Sequence, residues 1–424
     1  MKRLVLVALV CVLLMPAASP AAQSEYGHTA RDAYNATLLG TPSSLKLPPP
    51  HWVQERRLVL DIIPGLKRPD VFFYDEGLRC TFAYQRTKAP LVFVIAGTGA
   101  SDRSLKALAI LRDLYNAGYH VITIPSPTNP NFIISASRSH VPGDLAADAA
   151  DIYEAMKAAW KEVKGDIEVS DFYLTGYSLG GTHAAFVAKH DEEHKVFNFR
   201  RVLLLNPAVN LYSSIKQIEN MLEKIPGGPR RIGAYLNRMV ARLTDFYRTG
   251  NFEEINDEFL YSVFDEKLFN QDESGGLIAV SFRISLAGLI FASDVMTNGG
   301  YVVPKNRVLT GYDPLGDYFL VSFHLSFYDF FNEFFYPRFT GGRPGMTRGE
   351  VSDYLSIKTI EGYLKASPKI SVITNENDFI LTPAELAYLK SLFGPRVTVY
   401  PWGGHLGNLE HRDYMTLIIN YFRQ

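Results

Sequence analysis

The sequence predicts an α/β fold in which a mostly parallel sheet is flanked by helices and carries a helical cap inserted before the acid-bearing strand. Three features of the 424-residue chain support this prediction. Short apolar runs alternate with helical patterns, which is typical of strands joined by crossover helices. The run at 91–96 is apolar throughout, as expected for a strand buried on both faces of a parallel sheet. The alternation stops between Pro207 and Lys369, about 160 residues, where one crossover would need only a few tens.

The individual elements follow from local composition. A β-hairpin is predicted from strands at 71–74 and 80–84 around the turn Asp75-Glu76-Gly77. The other predicted strands are 91–96, 120–124, 172–175, 202–205, 370–374 and 397–400. The predicted helices are 104–117, 144–164, 179–189, 383–392 and 408–421.

These elements divide the chain into five segments. Residues 1–22 are predicted to be a signal peptide and residues 23–70 an N-terminal lead-in, of which 24–57 are polar, proline-rich and expected to be extended. The first part of the α/β core covers 71–208, the helical cap 209–368, and the second part of the core 369–424.

The first 22 residues have the three parts of a secretory signal peptide. Two basic residues precede an unbroken apolar run at 4–15, and small residues at 16–22 place Ser19 and Ala21 at the −3 and −1 positions of a cleavage site. The apolar run is too short to span a bilayer comfortably. Lipidation at Cys11 and an uncleaved anchor are the alternatives. We expect an exported protein, periplasmic or secreted.

Composition narrows the classes of partner. A net charge of −1 and 21% charged residues argue against nucleic acid as a main partner. The balance leaves a small-molecule or lipid ester open, with peripheral membrane contact as a further option. After removal of residues 1–22, Cys80 is the only cysteine, so no intramolecular disulfide is possible. The oligomeric state does not follow from the sequence.

A candidate nucleophile lies in the motif Gly176-Tyr177-Ser178-Leu179-Gly180. This is G-x-S-x-G directly after a predicted strand and directly before a predicted helix, the context that a nucleophile elbow requires. The sharp turn lifts the serine hydroxyl above the sheet, and the helix that follows directs free N–H groups at the site. A glycine-rich turn with a capping serine is the alternative interpretation.

A serine hydroxyl needs a base, and His405 is the candidate. It follows the last predicted strand, at the edge of the sheet where catalytic groups gather in open α/β folds. His183 lies on the helix leaving the elbow and recedes about 7 Å behind the serine, so we expect it to be a packed residue. His324 lies in the aromatic part of the cap and is interpreted as structural.

The third member of a triad must orient the histidine and stabilise its cation. The predicted strand at 370–374 runs into Asn375-Glu376-Asn377-Asp378, which places two acids at the same edge of the sheet. Asp378 is our choice and Glu376 the second candidate. A turn that only caps the next helix is the structural alternative.

The order serine, acid, histidine, each after its own strand and with a cap before the acid, resembles the α/β-hydrolase superfamily over roughly residues 70–424. The resemblance implies an oxyanion hole from the backbone N–H of Leu179 and of the Ala96-Gly97-Thr98-Gly99 turn, with Thr98 as the donor. The sequence departs from common members because Ala96, not histidine, precedes Gly97.

No cofactor and no metal is expected. The turn Gly97-Thr98-Gly99 lacks the last glycine of a dinucleotide fingerprint, since Asp102 occupies that position. The expected activity is cleavage of a carboxylic ester, including that of a lipid. Amide hydrolysis, thioester hydrolysis and acyl transfer use the same triad, and a binding protein on this scaffold is the remaining alternative.

The cap is rich in aromatic residues between Tyr318 and Phe339, and many recur at helical spacing. Two interpretations are open: the aromatics form the core of the cap, or one face of them lines an acyl pocket. The apolar stretch at 277–292 is interrupted by Arg283 and is interpreted as a buried helix.

Overall fold

The computed structural model describes Gly27 and residues 30–249, 257–265 and 267–424. The predicted signal peptide therefore lies outside the described residues.

An eight-stranded sheet forms the centre of the molecule, with the strand order β1-β2-β4-β3-β5-β6-β7-β8. The first two strands run antiparallel to their neighbours, and β3 to β8 are all parallel. The strands are β1 Glu55–Leu60, β2 Leu78–Ala83, β3 Ala89–Ile95, β4 His120–Ile124, β5 Val169–Tyr177, β6 Arg201–Leu205, β7 Ile370–Asn375 and β8 Val397–Tyr400. The predicted fold class is confirmed.

Helices cover both faces of this sheet. Those of the core are α1 Ala33–Leu39, α2 Leu105–Asn116, α3 Pro130–Ser135, α4 Leu145–Val163, α5 Leu179–His194, α15 Pro383–Phe393 and α16 Arg412–Arg423. Those between β6 and β7 are α6 Leu211–Glu223, α7 Ile232–Thr249, α8 Asp257–Asp265, α9 Gln271–Thr297, α10 Gly316–His324, α11 Phe327–Asp329, α12 Tyr336–Gly341, α13 Arg348–Tyr354 and α14 Glu361–Ala366. Short 3₁₀ turns cover Ser43–Leu45, Asp70–Phe72, Pro229–Arg231, Ile357–Ile360 and Gly394–Arg396.

Two hydrophobic clusters lie on opposite faces of the sheet, because successive side chains of each strand point in opposite directions. Phe93 belongs to the cluster beneath α4 and α5, and its neighbour Val94 to the cluster beneath α2 and α16. Both residues are fully buried, which explains why the run at 91–96 is apolar at every position.

The predicted hairpin at 71–74 and 80–84 is wrong. Residues Asp70–Phe72 form a 3₁₀ turn, and β2 pairs instead with β1, in a register that joins Glu55 to Ala83. The strand β1 was not predicted because its first three residues, Glu55, Arg56 and Arg57, are charged and exposed. Charged side chains are typical of an edge strand, where they discourage pairing with other chains.

The lead-in is not extended throughout. Residues Ala33–Leu39 form helix α1, capped by the Asp32 side chain, which accepts hydrogen bonds from the N–H groups of Tyr34 and Asn35. This helix packs against the loop that carries His405.

Helix α9 is the one described helix long and apolar enough to cross a membrane by length and composition. Its residues include many buried positions, and it packs against α6, α10 and α3. The structure thus places the apolar stretch at 277–292 in a buried helix, as the sequence predicts.

The aromatic segment of the cap is not one continuous helix. Helix α10 ends at His324, and Ser326 begins α11 through a capping box with Asp329. A π-helical turn follows at Phe330–Phe335. In a π-helical turn the backbone hydrogen bonds join residues five positions apart instead of four. The side chains therefore rotate away from the 3.6-residue periodicity that the sequence suggested.

Candidate active site

Ser178 lies in a strained turn between β5 and α5. Its φ of 55° and ψ of −127° are rarely adopted by a residue with a side chain, and such strain is common at functional sites. Close backbone contacts hold the turn: a Cβ on Gly176 would lie 2.2 Å from the carbonyl oxygen of Gly180, and a Cβ on Gly180 would lie 2.1 Å from that of Ile95. Only glycine fits at 176 and 180, so the motif is a geometric requirement of the elbow.

Substitution of Gly180 tests this requirement. Gly180→Ala is expected to lower the free energy of unfolding by more than about 3 kcal/mol, because the new methyl group meets two backbone carbonyls that cannot move independently. Gly362→Ala is the control, since no atom lies within 4 Å of its Cβ position, and its effect should stay within about 1 kcal/mol. Urea unfolding measures both. Equal stability of the two variants would show that the elbow tolerates a side chain.

His405 reaches Ser178 from the loop after β8. Its Nε2 lies 2.8 Å from Ser178 Oγ, within hydrogen-bond distance. The loop turns through Gly403 and Gly404, both at positive φ. Helix α1 supports this loop closely: the His405 N–H donates to Thr37 Oγ1 at 2.8 Å, and a Cβ on Gly404 would lie 2.0 Å from a carbonyl of α1.

Asp378 lies on the other side of the imidazole, just after β7. Its two carboxylate oxygens are 3.0 and 3.1 Å from His405 Nδ1, and both side chains are buried. Glu376, the second candidate, is brought elsewhere: its side chain is about half exposed and pairs with Lys390 at 2.6 Å. The geometry therefore joins Ser178, His405 and Asp378, and leaves Glu376 out.

Two supporting residues were missed by sequence reasoning. Asn206 directly follows β6 at positive φ, and its Nδ2 donates to Asp378 Oδ2 at 2.8 Å. Its own Oδ1 accepts from the hydroxyl of Tyr414, also at 2.8 Å. A polar residue at the end of a parallel strand was the available signal for Asn206. No sequence signal points to Thr37, because its contact with His405 joins residues 368 positions apart.

Leu179 and Thr98, which the resemblance suggested as oxyanion donors, lie at the same cavity as the serine. Neither backbone N–H donates a hydrogen bond within the described chain. The loop that carries Thr98 can approach Ser178 because Gly97 has no side chain. A Cβ on Gly97 would lie only 3.1 Å from the Cβ of Ser178. Two unused donors next to a serine hydroxyl can stabilise a developing oxyanion.

Ser178 lines a largely apolar cavity that is partly open to solvent. Helices α6 and α9 supply aliphatic side chains to the wall, and the aromatic segment supplies Phe327, Phe330, Phe331 and Phe335. Phe319, which the sequence grouped with them, is instead 42% exposed on α10. The four phenylalanines that line the cavity are also buried in the larger hydrophobic cluster, so the same side chains belong to the packed cap and to the cavity wall.

Among the described histidines, His405 is the one that hydrogen-bonds Ser178 Oγ. His183 is fully buried on α5 and contacts Asp148, and His324 is exposed. Within the described residues, His190, Glu193 and His194 form the one cluster that could hold a metal ion. These three residues lie at the far end of α5, about 18 Å along the helix from Ser178, so such an ion would not reach the serine.

Ser178 after β5, Asp378 after β7 and His405 after β8 meet at the carboxyl edge of a sheet whose last six strands are parallel. The chain has the α/β-hydrolase fold. No protein-family profile matches the sequence, and the search of curated proteins found no significant match.

Solved structures that are similar to this chain include several esterases. One of two fungal esterases from Rhizomucor miehei is 12% identical, with a TM-score of 0.43 over 94% of this chain and 98% of that one. An esterase from Pyrococcus furiosus is 11% identical, with a TM-score of 0.42 over 89% and 97%. An esterase from Pyrobaculum calidifontis is 15% identical, with a TM-score of 0.40 over 94% and 91%. At these scores the likeness assigns no activity to this chain.

Proposed function

We propose that this protein is a serine hydrolase that cleaves a carboxylic ester through an acyl-enzyme. The observation that carries the proposal is the continuous contact from Ser178 Oγ to His405 Nε2 and from His405 Nδ1 to Asp378. A binding protein has no need of a strained serine, a base and a buried acid in that order. Covalent labelling by a fluorophosphonate, compared between the unsubstituted protein and Ser178→Ala, tests the proposal.

The geometry supports a two-step reaction. Ser178 Oγ attacks the ester carbonyl carbon while its proton passes to His405 Nε2, and the N–H groups of Leu179 and Thr98 stabilise the resulting oxyanion. Collapse of that intermediate breaks the bond to the alcohol, which leaves with the proton from His405. Water then repeats the sequence on the acyl-enzyme, releasing the acid and restoring Ser178. Asp378 stabilises the imidazolium in both steps.

The cavity supports a substrate with an apolar acyl chain. Its wall is made mostly of aliphatic and aromatic side chains, and each buried methylene contributes about 0.8 kcal/mol, roughly a 4-fold gain per carbon. We therefore expect kcat/KM for p-nitrophenyl esters to rise from acetate to octanoate. A steady fall from acetate upward would contradict an acyl-binding role for the cavity.

A matched pair of variants on α9 locates the chain. Leu286 lines the cavity, whereas Ile284 is 49% exposed on the same helix. Leu286→Trp is expected to reduce kcat/KM for octanoate about 10-fold or more while leaving acetate within about 3-fold, because the larger side chain occupies chain space. Ile284→Trp should alter neither substrate. Equal losses for acetate and octanoate in Leu286→Trp would contradict the assignment.

The site of action is part of the same proposal. The predicted signal peptide at 1–22 supports export, so the ester would be met in the periplasm or outside the cell.

A further inference from the structure

Two acidic residues, Glu219 and Asp148, line the cavity, whose wall is mostly apolar and whose other polar side chains are hydroxyls. Burying a carboxylate against apolar surface is costly unless hydrogen bonds or charges compensate it. How each oxygen is used therefore distinguishes a structural acid from one that is available to a ligand.

Both carboxylate oxygens of Glu219 accept hydrogen bonds from other protein groups. Its Oε2 accepts from Arg283 Nη2 at 2.5 Å, and its Oε1 accepts from the backbone N–H of Phe327 at 3.3 Å. The ion pair with Arg283 is itself buried. This carboxylate neutralises a buried arginine and holds the start of α11.

Only one carboxylate oxygen of Asp148 accepts a hydrogen bond from the described chain. Asp148 lies in the first turn of α4, is 3% exposed, and its Oδ2 accepts from the Gly143 N–H at 2.8 Å. Its Oδ1 accepts no hydrogen bond from any described residue. Beneath it, His183 Nε2 approaches Oδ2 at 3.5 Å, and neither ring nitrogen of His183 makes a hydrogen bond within the described chain. Burial raises the pKa of the Asp148 carboxyl, the direction expected of an undersolvated acid.

We propose that Asp148 is a substrate-recognition residue whose Oδ1 accepts a hydrogen bond from a hydroxyl group carried by the ester in the cavity. This inference rests on the proposed esterase function and deepens it. One open acceptor matches the single O–H donor of a hydroxyl, whereas an ammonium would bring three donors. Next to Gly143 the wall is apolar on one side, where the ring of Phe335 lies against that glycine.

The hydroxyl must lie several bonds from the scissile carbonyl. His183, which touches Asp148, follows Ser178 by five residues on α5, about 7.5 Å along the helix. The group can belong either to the acyl chain or to the alcohol, and both place the same donor in the cavity. Two substrate series distinguish these sources: p-nitrophenyl octanoates substituted at successive carbons from C4 to C8, and octanoate esters of butanol and of butane-1,4-diol.

The decisive comparison is between hydroxy and methoxy substrates at the same carbon, since a methoxy oxygen cannot donate. We expect the protein to favour a hydroxy octanoate at one position, or the butanediol ester over the butyl ester, by about 10- to 100-fold in kcat/KM. In Asp148→Asn we expect the amide oxygen to keep the hydrogen bond from the Gly143 N–H, which leaves the NH₂ group in the place of Oδ1. Because both hydroxyl and methoxy oxygens accept from NH₂, the preference should fall to within about 2-fold. Asp148→Leu should lose it as well.

Asp151→Asn is the matched control. Asp151 lies on the same helix and is also buried, but its oxygens bind Arg138 and it does not line the cavity. This variant should keep the hydroxyl preference. Failure of the inference is distinct from failure of the proposed function: a protein that cleaves no octanoate contradicts the esterase, whereas one that cleaves octanoate without hydroxyl preference in either series overturns only the role of Asp148.

Discussion

Ser178→Ala is expected to abolish both covalent labelling by a fluorophosphonate and ester hydrolysis. The variant loses the only atom that can form the acyl-enzyme, and loss of the nucleophile in other triads costs on the order of 10⁶-fold in kcat. Ser178 Oγ has the base within 2.8 Å, so it is the serine of the described chain that we expect to be activated. Mass spectrometry of the labelled protein gives the adduct and its position.

Ser281→Ala is the control for this experiment. Ser281 lies on α9, and its hydroxyl donates only to the backbone carbonyl of Ile278. The Ser281→Ala variant should be labelled by the fluorophosphonate and should cleave esters as the unsubstituted protein does. Undiminished labelling of Ser178→Ala would move the nucleophile to another residue and remove the basis of the proposed function.

Asp378→Asn is expected to keep the fold and lower kcat by about 10⁴-fold. In the native site both oxygens of Asp378 face His405 Nδ1, and Asn206 Nδ2 and the Ile380 N–H donate to them from the other side. An amide cannot stabilise the imidazolium as a carboxylate does, and its NH₂ group favours the tautomer that leaves Nε2 protonated. Steady-state kinetics measure the loss, and circular dichroism checks that the fold is retained.

Glu376→Gln provides the comparison for Asp378→Asn. The Glu376 carboxylate makes an exposed ion pair with Lys390, a kind of contact that contributes little to stability. We expect kcat within about 2-fold of the unsubstituted protein. A large loss in Glu376→Gln together with a nearly silent Asp378→Asn would exchange the roles of the two acids.

The sequence by itself determined the features that depend on neighbouring residues. The G-x-S-x-G motif predicted the elbow because the close backbone contacts at Gly176 and Gly180 leave no room for a side chain. Continuous apolar runs predicted the central strands because both faces of these strands are buried. The end of β8 led to His405, since the carboxyl ends of parallel strands meet at one edge.

The tertiary structure alone decided what depends on residues far apart in the chain. The choice of Asp378 over Glu376 follows from the direction each side chain takes after β7, and a four-residue polar turn leaves that direction open. The contact of Asn206 with Asp378 joins residues 172 positions apart, and no local pattern encodes it. The strand β1 and the unused oxygen of Asp148 are of the same kind. Pairing partners and leftover hydrogen-bonding capacity are properties of the packed chain, because only packing determines which polar groups find each other and which remain for a ligand.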